Sequence, residues 1–235
     1  MKKDYAEYLL EKTRQDYDAI ADDFDKKRDY LPPDFAILQD YVDKGDRILD
    51  LGCGNGRFQE VIKDRADYYG TDVSGPLIRI AKAKYSDAKF FVSKPLSLPF
   101  EDNFFDKVFC LAVFHHIPSA RIRKEFLKEI RRVLKPDGRI VLTVWDLSDN
   151  KKARQLLLKY ALLKLIGRTK LDFKDVFYPW KNSAGKVVIN RYIHIFSENE
   201  LEKIIESAGL VIKEKGILER SPKGKNIFII AQKSK

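Results

Sequence analysis

The 235-residue sequence predicts an α/β fold built on a doubly wound, mostly parallel sheet. Three observations carry that expectation. An apolar stretch, residues 48–51, runs directly into three alternate glycines, Gly52, Gly54 and Gly56, and a helical pattern follows. Short apolar runs then alternate with helix-length amphipathic segments as far as residue 145. Finally, residues 105–112 are nearly all apolar after Lys107, as expected of a strand covered on both faces.

The elements follow in order. Residues 4–29 read as helical, with Tyr17, Ile20, Ala21 and Phe24 on one stripe. Pro32 and Pro33 interrupt the chain, and a second helix is expected up to Lys44, with Gly45 as its C-cap. The helix after the glycines has Phe58, Val61 and Ile62 as apolar positions. A second strand ends at Asp72, Ser74 caps a helix reaching Tyr85, and residues 89–92 form a short third strand. The fourth strand delivers Val113 to Pro118 to the C-terminal edge of the sheet, where doubly wound folds bind ligands. Ser119 opens a helix with Ile122, Phe126, Ile130, Val133 and Leu134 on one face; Pro136, Asp137 and Gly138 end it. Residues 139–145 are the fifth strand, and residues 153–166 are helical. Ser197 and Glu200 have capping-box spacing before a helix that runs to Ala208, with Gly209 as C-cap. Residues 211–216 and 226–231 are the last two strands, joined through Ser221, Pro222, Lys223 and Gly224.

Length and composition fit a single domain over 1–235, with an N-terminal helical cap (1–31) and a basic insertion (151–186). That insertion carries +8 of the chain's net charge of +10. One sign concentrated on one segment points to a polyanion partner or to a solvated helix face, and charge alone leaves both open. Cys53 and Cys110 read as reduced interior thiols. The longest apolar run, 108–114, is too short to span a bilayer, and no apolar segment follows the basic start. The expectation is a cytoplasmic protein that engages neither membrane nor DNA.

The glycines let a ligand approach the backbone closely. Their spacing is G-x-G-x-G, with Arg57 where a dinucleotide fingerprint has its third glycine. Asp50, just before the first glycine, would repel a pyrophosphate but hold an ammonium. Asp72 can accept hydrogen bonds from both ribose hydroxyls. An adenosine carrying an amino acid fits this pair of acids better than a dinucleotide does. On these residues the sequence resembles the class I S-adenosylmethionine (SAM) methyltransferases, over roughly Tyr17 to Ala231. The resemblance implies a seven-stranded sheet of order 3-2-1-4-5-7-6 with the last strand antiparallel. It implies SAM as cofactor, held by Asp50, Gly52, Cys53, Gly54, Gly56, Asp72 and Val73, with Tyr17 contributed by the cap. Lys94 stands where that family usually has an acid reading the adenine amino group.

A carboxylate with an ordinary pKa near ~4 is already ionised at neutral pH. As a methyl acceptor it needs a cation rather than a base, and arginine supplies two parallel hydrogen bonds. Three separated stretches bear on the acceptor: Asn190-Arg191-Tyr192-Ile193-His194-Ile195-Phe196, the residues from Asp175 to Lys181 around Trp180, and Val144-Trp145 with the His115-His116 pair upstream. Together they resemble the tRNA methyltransferases that esterify 5-carboxymethyluridine at the wobble position; Tyr178 takes a place usually held by an aliphatic residue. The resemblance implies that Arg191 grips the carboxylate and that Tyr192 with Trp145 or Trp180 stacks the uracil. His115 or His116 would donate to the substrate, and His194 joins the candidate catalytic set. The basic segment would meet the phosphates of the tRNA anticodon arm. It also implies a possible small zinc-binding activator subunit, adding to the edge at 89–92. The residues alone leave open that Arg191 pairs with a structural acid such as Asp172 or Asp175 and that the tryptophans are core anchors, and the three histidines show no metal-ligand spacing. Rival functions are a small-molecule O-methyltransferase acting on a phenol, quinone precursor or free acid, and a non-catalytic SAM-binding regulator.

Overall fold

The computed structural model describes residues 1–182, 184–221 and 224–234. The chain begins with helices α1 (Lys3–Ala19), α2 (Ala21–Lys27) and α3 (Pro33–Leu38). Strand β1 (Arg47–Leu51), α4 (Gln59–Ile62), β2 (Asp67–Asp72), α5 (Gly75–Lys84) and β3 (Lys89–Val92) follow. Next come β4 (Phe105–Leu111), α6 (Ala120–Val133) and β5 (Leu134–Asp146). The second half holds α7 (Lys151–Leu165), β6 (Asp175–Lys181), β7 (Val187–His194), α8 (Glu198–Ser207), β8 (Leu210–Ser221) and β9 (Gly224–Lys233).

Seven strands form one sheet in the order β3-β2-β1-β4-β5-β9-β8. The first five run parallel, and β9 lies antiparallel to both of its neighbours. Set apart from the separate β6–β7 hairpin, this is the 3-2-1-4-5-7-6 order the sequence resemblance implied. Successive strand residues face opposite layers. Leu49, Val108, Leu142 and Ile229 pack with Phe126 and Ile130 of α6 and Leu201 and Ile205 of α8. Ile48, Phe109, Val141 and Ile230 pack with Phe35 and Leu38 of α3, Ile62 of α4 and Ile78 of α5. Both faces are therefore covered, and the ligand side is left at the strands' C-terminal edge. Among the described residues no helix is long and apolar enough to cross a membrane.

Several local expectations are modified. The N-terminal helical stretch is two helices, separated at Ile20 (φ −110°, ψ 9°). Helix α6 ends at Val133, and β5 already begins at Leu134, earlier than Pro136 suggested. Ser74 and Ser119 do cap, accepting from Leu77 N at 3.4 Å and Ile122 N at 3.3 Å. Ser197 makes no side-chain cap: its Oγ accepts from Lys174 Nζ at 3.5 Å, and the Glu200 carboxylate that would close the reciprocal bond is engaged by His194 Nε2 at 2.8 Å and Lys174 Nζ at 2.7 Å. Pro222 and Lys223, placed in the last connection, lie outside the described residues.

The unforeseen element is the β6–β7 hairpin, paired Asp175↔His194 and Tyr178↔Arg191. Its root is held by one buried carboxylate. Asp175 Oδ1 accepts from Tyr192 Oη at 2.8 Å and Arg123 Nη2 at 3.5 Å and contacts His194 Nδ1 at 2.7 Å, while Oδ2 accepts from the Asp172 amide at 3.0 Å. Asp175, Arg123 and His194 are all buried. Removing the carboxylate strands a guanidinium, a phenol and an imidazole in the interior. The Asp175→Ala variant is therefore expected to lose about 3 kcal/mol or more of unfolding free energy in urea titration; a loss within about 1 kcal/mol would mean the cluster is not what fixes the hairpin.

Candidate active site

One cavity opens at the C-terminal edge of the sheet and is roofed by α1, α2 and the hairpin. Its floor is the turn after β1. The amides of Gly52 and Cys53 both donate to Thr71 O, at 2.7 and 2.9 Å, which binds the turn to β2. Gly52 has φ +82°, and a Cβ there would collide with the Val113 side chain. Asp50, Gly52, Cys53, Gly54, Asp72, Val73 and Tyr17 all line the cavity, as expected. Gly56 does not: it has φ +79°, and a Cβ there would lie 2.8 Å from Phe90 Cζ and 3.1 Å from Ala81, so it serves packing behind the turn. Lys94 is likewise absent from the wall, whereas its neighbours Ser93 and Pro95 form part of it.

The two acids are set differently. Asp50 is buried and accepts from Tyr68 Oη at 2.8 Å; burial pushes its pKa up to about 7, with the Asp72 charge adding to the shift and the Tyr68 bond opposing it. Asp72 accepts the Gly54 amide on one oxygen and the Ser74 amide on the other, each at 2.9 Å. Burial raises its pKa as well, against those backbone donors.

At the far end stands Arg191, 5% exposed. Its guanidinium carbon lies over the Trp145 ring at 5.0 Å and the Trp180 ring at 4.8 Å. Nη1 donates to Tyr17 Oη at 3.4 Å, and Nε has no partner. The acids considered as its partners are engaged elsewhere: Asp172 with Lys164 at 3.8 Å, and Asp175 in the hairpin root. Arg191 makes no ion pair among the described residues. A relay fixes it. Tyr17 Oη meets His116 Nε2 at 2.9 Å, and His116 Nδ1 lies 2.8 Å from the Tyr192 carbonyl. A carbonyl can only accept, so Nδ1 carries the proton and Nε2 accepts from the tyrosine. Burial, with the Arg191 charge second, pushes the His116 pKa down to about 3, so the ring is neutral. Both its nitrogens are committed, which makes it a positioning residue for Tyr17 and Arg191 rather than a donor to substrate.

Two further expectations are corrected. Tyr192 and His194 do not line the cavity. Side chains alternate along β7, so a strand that points Arg191 inward turns Tyr192 and His194 away. Tyr192 is fully buried against Leu9 and Leu171, and His194 lies between Asp175 and Glu200. Trp180 is anchored too, donating from Nε1 to Asp23 at 2.7 Å. His115 is buried beside Trp145 at 4.6 Å, without a hydrogen-bond partner.

Among the described residues, seven of the eleven buried side-chain polar atoms without a partner belong to residues lining this cavity: Asp34, Asn55, Thr71, Trp145, Arg191, Arg220 and Asn226. Buried polar atoms are normally satisfied, so their concentration here marks a surface built for a polar ligand. The Gly52 floor and the paired acids fit an adenosine-linked amino acid.

Comparison with known proteins agrees. Residues 49–142 match the family model described as a methyltransferase domain. A SAM-dependent methyltransferase from Methanosarcina mazei superposes with a TM-score of 0.71 at 25% identity, over 87% of this chain and 98% of that one. The matched segment and the fold are those of a SAM-dependent methyltransferase. Among curated relatives, a tRNA (carboxymethyluridine(34)-5-O)-methyltransferase from Arabidopsis thaliana is 36% identical over 129 residues, 55% of this methyltransferase and 31% of the relative, so the chain spans under a third of that protein's length. One of the same description from Schizosaccharomyces pombe is 27% identical over 97% of this chain and 99% of its own length. A methyltransferase in complex with the Haloferax volcanii Trm112 methyltransferase activator shares the fold, with a TM-score of 0.65 at 19% identity over 95% of this chain and 98% of that one.

The cofactor floor generates a direct expectation. Gly52→Ala places a methyl group against Val113 in a backbone region alanine rarely enters. It should weaken S-adenosylhomocysteine binding at least about tenfold by calorimetry, a cost of about 1–3 kcal/mol. Unchanged affinity would show that the turn does not form the cofactor floor.

Proposed function

We propose that this methyltransferase esterifies a carboxylate, that of a modified wobble uridine in tRNA. The observation that carries the reading is Arg191: a buried guanidinium at the cavity wall, beside two indoles, which makes no ion pair among the described residues, while Asp16, whose charge it feels, is paired with Lys12. A buried unpaired charge is costly, and a substrate carboxylate would neutralise it with two charge-assisted hydrogen bonds. The named relatives support the same chemistry. The exposed basic residues of the 151–186 segment, including Lys151, Lys152, Arg154 and Lys159 on α7, supply a face for phosphates. A small-molecule enzyme has no use for such a rim.

In this reading Asp72 takes the ribose hydroxyls and Asp50 the ligand ammonium, while Gly52, Cys53, Gly54 and Val73 shape the floor. SAM supplies an electrophilic sulfonium methyl. The protein's own task is positioning: Tyr17 and His116 hold Arg191 in place, Arg191 orients the acceptor oxygen, and Trp145 excludes water and offers a stacking face. No side chain has to remove a proton, because the acceptor is already an anion. The free edge of β3, with Val92 57% exposed, is where an activator subunit would add as a further strand.

The test is transfer of labelled methyl from SAM to tRNA taken from cells lacking wobble-uridine esterification, followed by mild alkali. Label that leaves as methanol supports the ester. Label that survives alkali would move the acceptor to a ring atom or ribose. Arg191→Ala is expected to reduce transfer at least about a hundredfold, roughly 3 kcal/mol, with SAM affinity within about threefold of wild type; a parallel fall in SAM affinity would make Arg191 structural. The raised pKa of Asp50 adds a pH dependence. A ligand ammonium requires the ionised carboxylate, so below about 7 binding releases a proton. S-adenosylhomocysteine affinity should rise from pH 5.5 to 7, by at most about tenfold per pH unit. Asp50→Asn should flatten that rise. An equal slope in the variant would place the titrating group elsewhere.

A further inference from the structure

Arg191 is not the sole arginine in this wall. Arg28, Arg57 and Arg220 line the same cavity, and none of the four makes an ion pair among the described residues. Arg220 is the one set against the acceptor end. Its guanidinium carbon lies 5.3 Å from the Trp145 ring, the ring that also carries Arg191 at 5.0 Å. The sheet register brings it there. Trp145 of β5 pairs with Asn226 of β9, Asn226 pairs with Leu218 of β8, and Arg220 follows two residues later. Among the described residues, Trp145 Nε1, Arg191 Nε and Arg220 Nε are buried without acceptors at this end, beside the unpartnered oxygens Asp34 Oδ1 and Asn226 Oδ1. The Asp34 charge favours the Arg220 guanidinium from a distance, but the carboxylate accepts from Asn226 Nδ2 at 2.7 Å and forms no ion pair with Arg220.

We propose that Arg220 is a second, specificity-determining arginine of the acceptor site, which with Arg191 forms a doubly cationic receptor for the substrate carboxylate and disfavours the neutral amide of the same shape. This rests on the carboxylate reading above and deepens it. The physical basis is charge. Two guanidinium groups share one indole ring, and a carboxylate brings them a negative charge and two acceptor oxygens, whereas the corresponding amide brings no charge and one oxygen fewer. Like-charge crowding acts in the same sense: burial and the neighbouring Arg28 and Arg191 charges lower the Arg220 pKa, and a bound anion relieves that strain.

The experiment titrates the methyltransferase, saturated with S-adenosylhomocysteine, with two anticodon stem-loop RNAs identical except that one carries 5-carboxymethyluridine and the other 5-carbamoylmethyluridine. Wild type is expected to bind the carboxylate RNA at least about tenfold more tightly. Arg220→Gln should lose most of that ratio by weakening the carboxylate RNA alone, with cofactor affinity and melting temperature unchanged. Arg220→Lys keeps charge and stem but not the planar fork, and should fall between the two. If Arg220→Gln does not fold, the lysine variant is read in the same titration, and a ratio equal to wild type overturns the proposal. Equal weakening of both RNAs would make Arg220 a backbone-phosphate contact and overturns it too, as does an unchanged ratio in the glutamine variant. The parent reading fails separately: wild type that transfers no methyl to the carboxylate RNA removes both, whereas wild type that esterifies it beside an indifferent Arg220→Gln removes this inference alone.

Discussion

A guanidinium held out of water with no ion pair among the described residues is the constraint on which the far end of this cavity depends. Arg191 lies over two indole rings, and its one side-chain hydrogen bond runs through Tyr17 to His116 and on to the Tyr192 carbonyl. Cation–π contacts and a neutral relay soften the desolvation cost but do not cancel the charge. The compensation is left for a ligand, so structural stability has been traded for pre-organisation. The relay also joins elements far apart in sequence: α1, the segment after β4 and the hairpin all meet at one cation.

Two anchoring systems make that arrangement rigid. Asp175 gathers Tyr192, His194 and Arg123 at the root of the hairpin. Helix α2 ties the roof to both ends of the cavity: Asp23 accepts from Trp180 Nε1 at 2.7 Å, and Asp25 accepts from Asn55 Nδ2 at 2.8 Å. Cofactor floor and acceptor wall are thereby linked through one short helix. The proposed methyl transfer to a carboxylate, needing no proton acceptor, would ask for little beyond this, namely a fixed distance between two ligands and the exclusion of water.

The fold was legible because its signals are local. Strand, alternate glycines and helix declare a βαβ unit, and the nearly continuous apolar strand at 105–112 declares a sheet covered on both sides. Asp50 and Asp72 can be named from their positions around the glycine turn, and Arg191 from the family resemblance of its stretch; all three line the cavity. What was not legible is long-range. The family resemblance of the 190–196 stretch groups Tyr192 and His194 with Arg191, yet strand alternation sends adjacent residues to opposite faces, and the sequence pattern there does not declare a strand. Recognising the hairpin would have separated them. The Ser197–Glu200 cap failed for a similar reason, since Glu200 is drawn to His194 and Lys174, partners no window of four residues contains. Arg220 carried no signal at all. Its place depends on how β8 pairs with β9 and β9 with β5.

Both tryptophans of the chain flank Arg191, so their emission reports directly on what reaches that cation. The most direct measurement is tryptophan fluorescence of the protein saturated with S-adenosylhomocysteine, titrated with 5-carboxymethyluridine and, in parallel, with uridine. A carboxylate seated on Arg191 predicts a saturable change for the first nucleoside and none at the same concentrations for the second. Identical responses to both, or no response from a preparation that esterifies the nucleoside in RNA, would contradict the assignment of Arg191 as the carboxylate's partner.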